Sequence, residues 1–342
     1  MDSITQIVLG AAVAEASIGK KVGNKAPMWG AIAGTIPDLD VLGQFFLGTI
    51  DNLAFHRSIS HSITFCLFAA PILGWLIAKI YKKKEATFLD WTWAMFLSFF
   101  THPLLDAFTT WGTMLFWPFT EYRVAIKSIF VVDPLYTLPF MFFLIWAMAL
   151  KRDNPRRKRL NDIGIIISTT YLFLTVVNKT YVDSQFEKSF ETLPEKIVRF
   201  DSRPTPMNNI LWTANAESEA GFHMGYYSLF DNDLPSDYKY VAKNHELLEP
   251  YKTNKDLKKL MTIVDGFYTV VPYKNGYAIN DLRFGEVRDF ETDSGEFVFT
   301  YIMDTSTFEA TNMLEFEQKR NSFEDGKKVL NQIIKRAKGK TN

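Results

Sequence analysis

The chain has 342 residues, enough for two domains of ordinary size, and its 38 basic and 38 acidic residues cancel. No basic stripe accompanies a groove-reading motif, so a nucleic-acid partner is not expected. The single cysteine, Cys66, excludes an intrachain disulfide and leaves the compartment open.

Apolar residues crowd into the first half and charged residues into the second. Six apolar segments follow one another, roughly Ile4–Gly19, Pro27–Leu47, Ile59–Tyr81, Phe88–Thr110, Ile129–Leu150 and Ile163–Val177. A helix needs about 20 apolar residues to cross a bilayer, with about 17 as a lower limit. The third and fifth meet that length freely. The second and fourth are long enough but carry Pro37, Asp38 and Asp40, and His102, Pro103 and Asp106. The first and last are short and suit a tilted, interfacial or partly buried placement. A buried soluble core is the alternative. Asp2 in place of a basic leader, and Glu15 within the first apolar run, argue against an ordinary secretory signal. The expectation is a mostly α membrane protein, with a transmembrane bundle of five to six segments over residues 1–178.

Basic residues set the expected orientation. Lys20, Lys21 and Lys25 follow the first segment, Lys82, Lys83 and Lys84 the third, and the run Lys151–Arg159 the fifth. These are alternate loops, so one side collects all three clusters and is read as cytoplasmic. The last run is also suited to anionic lipid contact. Trp91, Trp93, Trp111 and Trp117 read as interface anchors. Residues 179–342 then form an extracytoplasmic soluble α+β domain. Stretches Ile197–Phe200, Ile210–Ala214, Phe222–Leu229 and Phe297–Met303 read as strands. Asn254–Met261 and Phe323–Ala337 read as helices capped by Asn254 and Ser322. His223 and His245 lack partners at ligand spacing and read as surface or structural.

The chemistry concentrates in three short stretches: Pro37-Asp38-Leu39-Asp40, His56-Arg57-Ser58-Ile59-Ser60-His61-Ser62 and His102-Pro103-Leu104-Leu105-Asp106. In the expected topology they share one depth near the outer face. Ionisable groups at membrane depth are costly, about 2.5–3.5 kcal/mol each even on insertion scales. A divalent cation would compensate them, because imidazoles and carboxylates are its natural ligands. Asp38, Asp40, His56, His61, His102 and Asp106 are six candidate ligands, too many for one tetrahedral zinc. One or two ions with an activated water suit a phosphoester hydrolase. His102 and Asp106 face the same way if the helix runs through Pro103, whereas a helix restarting there puts His102 at its cap. Arg57 and Arg123 are candidates for a phosphate oxygen, and Ser60 and Ser62 for outer support. Asp133 reads as a helix cap, an Arg123 partner or a further ligand. A serine nucleophile beside His61 has no G-x-S-x-G elbow to support it.

Together with Met1-Asp2-Ser3-Ile4-Thr5-Gln6, these motifs resemble the bacterial inner-membrane metal-dependent hydrolase family, also described as LexA-binding, inner membrane-associated hydrolases. The likeness covers about Met1 to Leu150. It implies a multi-pass inner-membrane domain distantly similar to zinc-dependent phospholipase C and single-strand nucleases. The family's ligands map onto Asp38, Asp40, His56, His61, His102 and Asp106. Many members carry Thr-His where this chain has Thr5-Gln6, which puts one metal position in doubt.

The expected function is a metal-dependent hydrolase of an ester or phosphoester in a lipid or lipid-linked substrate. Zinc, or alternatively manganese, would be the metal, and Asp38, Asp40 and His61 the catalytic set. The alternatives are a non-catalytic protein that binds or transports the metal, and a membrane tether for a regulatory partner docking on Lys151–Arg159. Oligomeric state is not legible.

Overall fold

The computed structural model describes residues 1–82, 85–290, 294–311, 313–320 and 326–339. The chain divides into two compact units. One comprises Met1–Gly43 and Phe55–Val177, the other Gln44–Ala54 and Asn178–Asn342.

The first unit opens with α1 (Ser3–Val22), capped by Asp2, whose carboxylate accepts the Thr5 N–H. Gly23, at φ +61°, ends it and turns the chain into α2 (Lys25–Thr35). These two helices touch backbone to backbone. A Cβ on Gly10 would lie 2.3 Å from the Gly30 carbonyl oxygen, and one on Gly34 2.5 Å from that of Gln6. Only glycine permits this approach. Gly10→Val should therefore lower the thermal midpoint, with a destabilisation of about 1–3 kcal/mol for overpacking. An unchanged midpoint would show that the helices do not meet there.

After α2 the chain winds through a 3-10 segment, Ile36–Phe45, and then α3 (Thr49–Phe55). A 3-10 turn at Ile59–His61 leads to α4 (Ile63–Ile80), where Ser62 Oγ accepts the Phe65 N–H. A reciprocal capping box of Thr87 and Asp90 starts α5 (Phe88–Asp106). α6 (Pro134–Met148) is capped by Asp133, which accepts from the Leu135 and Tyr136 N–H groups; of the three sequence readings of Asp133, the cap is the one seen. α7 (Pro155–Phe190) runs through the last part of this unit and into the other. Cys66, Ile77, Ala94, Met95 and Phe99 are fully buried in a common core. Trp91 belongs to that core too, stacked on Tyr81, and is not an exposed anchor.

The loops after α1, α4 and α6 meet at one end of this unit. Lys21 pairs with Asp90, and Glu85 takes both Lys25 and Arg152. Lys83 and Lys84 lie outside the described residues. Nearby, Arg157 forms a two-pronged pair with Glu15 (2.6 and 2.7 Å) and donates to the Leu150 carbonyl; both side chains are buried. Gly19 leaves room for that carboxylate, since a Cβ there would sit 2.3 Å from it.

The expected bundle of five to six spans is not what forms. Among the described residues, two helices are long and apolar enough to cross a membrane, Ile63–Ile80 and Pro155–Phe190. The second apolar segment breaks into an 11-residue helix and the 3-10 segment. The fifth yields only the 15 residues of α6, about 22 Å of helix, which is short of a bilayer core. α1 and α5 are long enough, but α1 carries Gln6, Glu15, Lys20 and Lys21, and α5 carries Asp90, Ser98, His102 and Asp106. Apolar length in sequence thus overstated helix length wherever proline, glycine or a polar group broke the run.

Among the described residues, the second unit contains two four-stranded antiparallel sheets. One has the order β1 (Arg199–Pro204), β2 (Leu211–Glu217), β3 (Gly221–Ser228), β4 (Tyr238–Ala242). A 3-10 turn at His245–Tyr251 and α8 (Lys255–Ile263) follow. The other sheet has β5 (Tyr268–Tyr273), β6 (Gly276–Asp289), β7 (Ser294–Asp304) and β8 (Glu315–Arg320), with α9 (Phe308–Thr311) before β8 and α10 (Gly326–Ala337) after it. Val182, Phe186 and Phe190 of α7 pack on Trp212, Ala214 and Ala216 of β2. Asn254 caps α8, whereas the expected cap Ser322 lies outside the described residues. His223 faces Glu195 at 3.3 Å, and His245 stacks on Tyr268 and donates to its carbonyl at 2.8 Å. Both histidines have structural partners.

Candidate metal centre

Four of the six sequence-predicted ligands converge: Asp38, His61, His102 and Asp106. Asp38 comes from the 3-10 segment, where Pro37 interrupts the helical run that begins with α2. His61 comes from the turn before α4. His102 and Asp106 are one helical turn apart on α5, which continues through Pro103.

The geometry fits one small cation. His61 Nε2 is 3.1 Å from His102 Nε2, 3.5 Å from Asp38 Oδ1 and 3.4 Å from Asp106 Oδ2. His102 Nε2 is 3.5 Å from Asp38 Oδ1 and 3.6 Å from Asp106 Oδ2. A tetrahedron with bonds of about 2.0–2.1 Å has edges of about 3.3–3.4 Å. Five of the six edges are therefore close to that size, and all four ligand atoms lie within 4.8 Å of one another.

The surrounding hydrogen bonds aim the ligands. His102 Nδ1 donates to the Gly34 carbonyl at 2.6 Å, so in the neutral ring Nε2 carries the lone pair that faces the cluster. His61 Nδ1 lies 3.0 Å from Ser60 Oγ and 3.5 Å from Asp40 Oδ2, which favours the same tautomer. Asp106 Oδ1 accepts from Gln6 Nε2 at 2.9 Å and from the Met1 amine. Its Oδ2 is fully buried without a hydrogen-bond partner, though Arg57 Nε lies 3.2 Å away. With neutral imidazoles, four lone-pair atoms meet at one point, and only positive charge at that point satisfies them together. Asp38 is the most open ligand, with 22% of its side chain exposed against 0% for the other three.

Asp40 and His56 stand behind this group. Asp40 Oδ2 accepts the Arg57 N–H at 2.7 Å, and Oδ1 holds His56 Nδ1 at 3.0 Å. Burial raises the Asp40 carboxyl, but His56 and His61 more than reverse that and leave it lowered. Arg57 itself is buried, with φ +54°, its guanidinium held by Thr109 at 2.9 Å and by Asp106. Its strained backbone is fixed on both sides, since its carbonyl also accepts from Met114. Arg123 donates to the His56 carbonyl at 2.9 Å and lies over the Trp111 ring. Asp40→Asn should weaken metal affinity about 10–100-fold, the usual effect of losing an outer partner. Calorimetric titration with zinc would measure it, and an unchanged affinity would remove Asp40 from the centre's support.

Gly34 and Thr109 were not singled out from sequence. The spacing Gly30-Ala-Ile-Ala-Gly34 does signal a close helix approach, and that approach delivers the carbonyl that orients His102. Thr109 carries no comparable signal.

Comparison with known proteins covers the half of the chain that holds these residues. YfhP of Bacillus subtilis (strain 168), described as uncharacterized, is 30% identical over 141 residues. That match covers 39% of this chain and 42% of the relative, so the chain spans less than half of its length. No solved structure matches. The model of one family matches residues 1–182, more than half of the sequence and all four converging residues. The chain belongs to the YdjM inner membrane protein family.

Proposed function

We propose that this inner-membrane protein is a metal-dependent hydrolase acting on an ester or phosphoester of a lipid or lipid-linked substrate. The observation that carries the proposal is the convergence of Asp38, His61, His102 and Asp106 as four acceptors around a point of tetrahedral size. Zinc suits this mixed imidazole and carboxylate set, with manganese as the alternative. When bound, such an ion lowers the pKa of a coordinated water to about 7 and polarises the scissile group.

The chain's own residues would do the rest. His61, His102 and Asp106 are buried and held from behind, so they form the fixed part of the centre. Asp38 is partly exposed and is the natural point of exchange with water and substrate. Arg57, tied to Asp106 and Thr109, balances the carboxylate charge and is placed to position, while Asp40 holds the turn that carries His61. Residues interleaved with the ligands are apolar and exposed: Leu39 (51%), Ile59 (39%) and Leu104 (40%). Such a rim favours a substrate with an apolar part, in keeping with the phospholipase-like motif pattern. The convergence of the basic loops at the opposite end of α5 supports a cytoplasmic assignment for that end.

A second reading has its own support. Four protein ligands, three of them fully buried, also describe a closed structural metal site. Protein purified in mild detergent would be assayed for metal by mass spectrometry, and against short-chain phospholipids and phosphodiesters, beside His61→Ala. Bound metal with turnover, both lost in the variant, supports the hydrolase. Bound metal without turnover on any ester supports the structural reading. Hydrolysis that survives complete metal removal sinks the mechanism.

A further inference from the structure

The loop between α5 and α6 is fastened at its base and apolar at its tip. Gly112, at φ +68°, opens it, and a Cβ there would lie 2.6 Å from the Val124 carbonyl oxygen. That close approach lets Thr113 and Val124 pair as an antiparallel bridge, with bonds of 3.1 and 2.9 Å. Beyond the bridge, three bonds tie the loop to the turn that carries His61 and to the start of α4. The Met114 N–H donates to the Arg57 carbonyl at 3.1 Å and the Ile63 N–H to the Leu115 carbonyl at 2.9 Å. Thr64 Oγ1 donates to the Trp117 carbonyl at 2.8 Å. On the returning arm, Arg123 holds the His56 carbonyl.

This fastening leaves the rings of the tip outside. Phe116 is 50% exposed, Phe119 88% and Tyr122 69%. Pro118, Thr120 and Glu121, which lie among them, are exposed as well. Clustered apolar groups held away from the core mark a surface that meets a partner or a membrane.

The choice between these follows from α4. Thr64, Phe68 and Ile72 recur at helical spacing, and Phe68, Ile72 and Trp75 form an exposed apolar stripe. The chain belongs to an inner-membrane family and α4 is long and apolar enough to span, so that stripe is suited to lipid. The 18 residues of α4 measure about 27 Å, against about 30 Å of hydrocarbon core. Thr64, near one end, therefore comes close to one boundary of that core. The loop is bonded at Thr64, on the side of the stripe, and its rings extend the apolar surface there. Its composition suits the boundary. Aromatic rings gather at membrane interfaces, and Tyr122 joins an apolar ring to a polar tip. A dry protein interface would have to bury the Glu121 carboxylate, whereas a headgroup layer keeps it wet.

We propose that residues 114–122 rest in the boundary between headgroups and acyl chains of one leaflet, with the phospholipid surface itself as the partner. Phe116 and Phe119 enter among the acyl chains, and Tyr122 stays with the headgroups. The bonds at the loop's base then hold the turn that carries His56 and His61 at the same depth. This lipid-binding surface goes beyond the hydrolase reading and stands equally with a structural metal.

The test uses the full chain in detergent-free nanodiscs of phosphatidylethanolamine and phosphatidylglycerol. Phe119 is replaced by p-benzoylphenylalanine, which on illumination bonds to a neighbouring C–H group, and the protein is weighed intact by mass spectrometry. Phe68 of α4, replaced in the same way in a second protein, reports whether the stripe meets lipid. Phospholipid adducts in comparable yield at both positions are expected. Adding Phe116→Asp and Tyr122→Asp should lower the Phe119 yield severalfold and leave the Phe68 yield unchanged, because charge is costly at acyl depth. A lipid adduct at Phe68 with none at Phe119 overturns the proposal and leaves α4 as a span. No lipid adduct at either position overturns it and removes the span too. An adduct at Phe119 to a second copy of the chain, in place of lipid, overturns it in favour of a protein partner. So does a Phe119 yield that ignores both aspartate substitutions, since the rings would then anchor nothing.

Discussion

His102→Ala is expected to lower divalent-metal affinity by at least about 100-fold, the upper end for loss of an outer partner and a minimum for loss of a ligand. The substitution removes one of two nitrogen ligands and also empties the space against the Gly34 carbonyl. What remains is His61 with two carboxylates, and Asp106 Oδ2 has no hydrogen bond of its own to fall back on. The same centre should be pH-sensitive. Imidazoles bind metal only when neutral, so metal uptake releases protons as pH falls through the ordinary imidazole range near about 6.5. Affinity should then drop by up to about tenfold per pH unit for each histidine protonated. Titration calorimetry in buffers of different ionisation heat would read both the affinity and the proton count. Wild-type affinity in His102→Ala, or binding that ignores pH between 5 and 7, would disprove the assignment of these side chains as ligands.

The second large effect concerns stability. Arg157→Met should destabilise the first unit by about 3–5 kcal/mol, because it leaves the Glu15 carboxylate buried without its partner. Both side chains are nearly inaccessible, and the guanidinium also satisfies the Leu150 carbonyl. The double substitution Glu15→Leu/Arg157→Met removes both charges and should recover most of that loss. Unfolding in detergent, followed through the tryptophans, would compare the three proteins. Equal stability of Arg157→Met and wild type would mean that the pair is solvated and contributes little.

Glu15 and Arg157 also show what the sequence could not convey. In the chain, Glu15 looks like an interruption of an apolar run, and Arg157 like one more member of a basic loop. Their pairing spans 142 residues, and no local pattern encodes it. The motifs that gather at the candidate metal centre were legible because ionisable residues in apolar surroundings are conspicuous and because His102 and Asp106 keep helical spacing. The division of labour among the six was not. Whether Asp40 and His56 face the centre or stand behind it depends on the 3-10 path of Ile36–Phe45 and on the strained backbone at Arg57. Hydropathy misjudged the bundle for a related reason. It registers apolar runs and is blind to where the hydrogen-bond ladder breaks, so Ile129–Leu150 reads as a span although α6 occupies only Pro134–Met148. In the second unit, strands with clear alternation such as β2 and β3 stood out, whereas β6, whose alternation is broken by Asp281, Arg283, Glu286 and Arg288, was not singled out.

Cys66, sealed in the core beside Ala70 and Phe99, gives the chain a practical property. The only thiol is out of reach of water-soluble maleimides, so the unmodified protein serves as its own blank. A cysteine placed at an exposed position such as Lys158 or Lys252 then becomes the sole labelling site. Comparing reagent uptake in intact and permeabilised cells would tell which side of the membrane each half of the molecule occupies, without first removing a native residue.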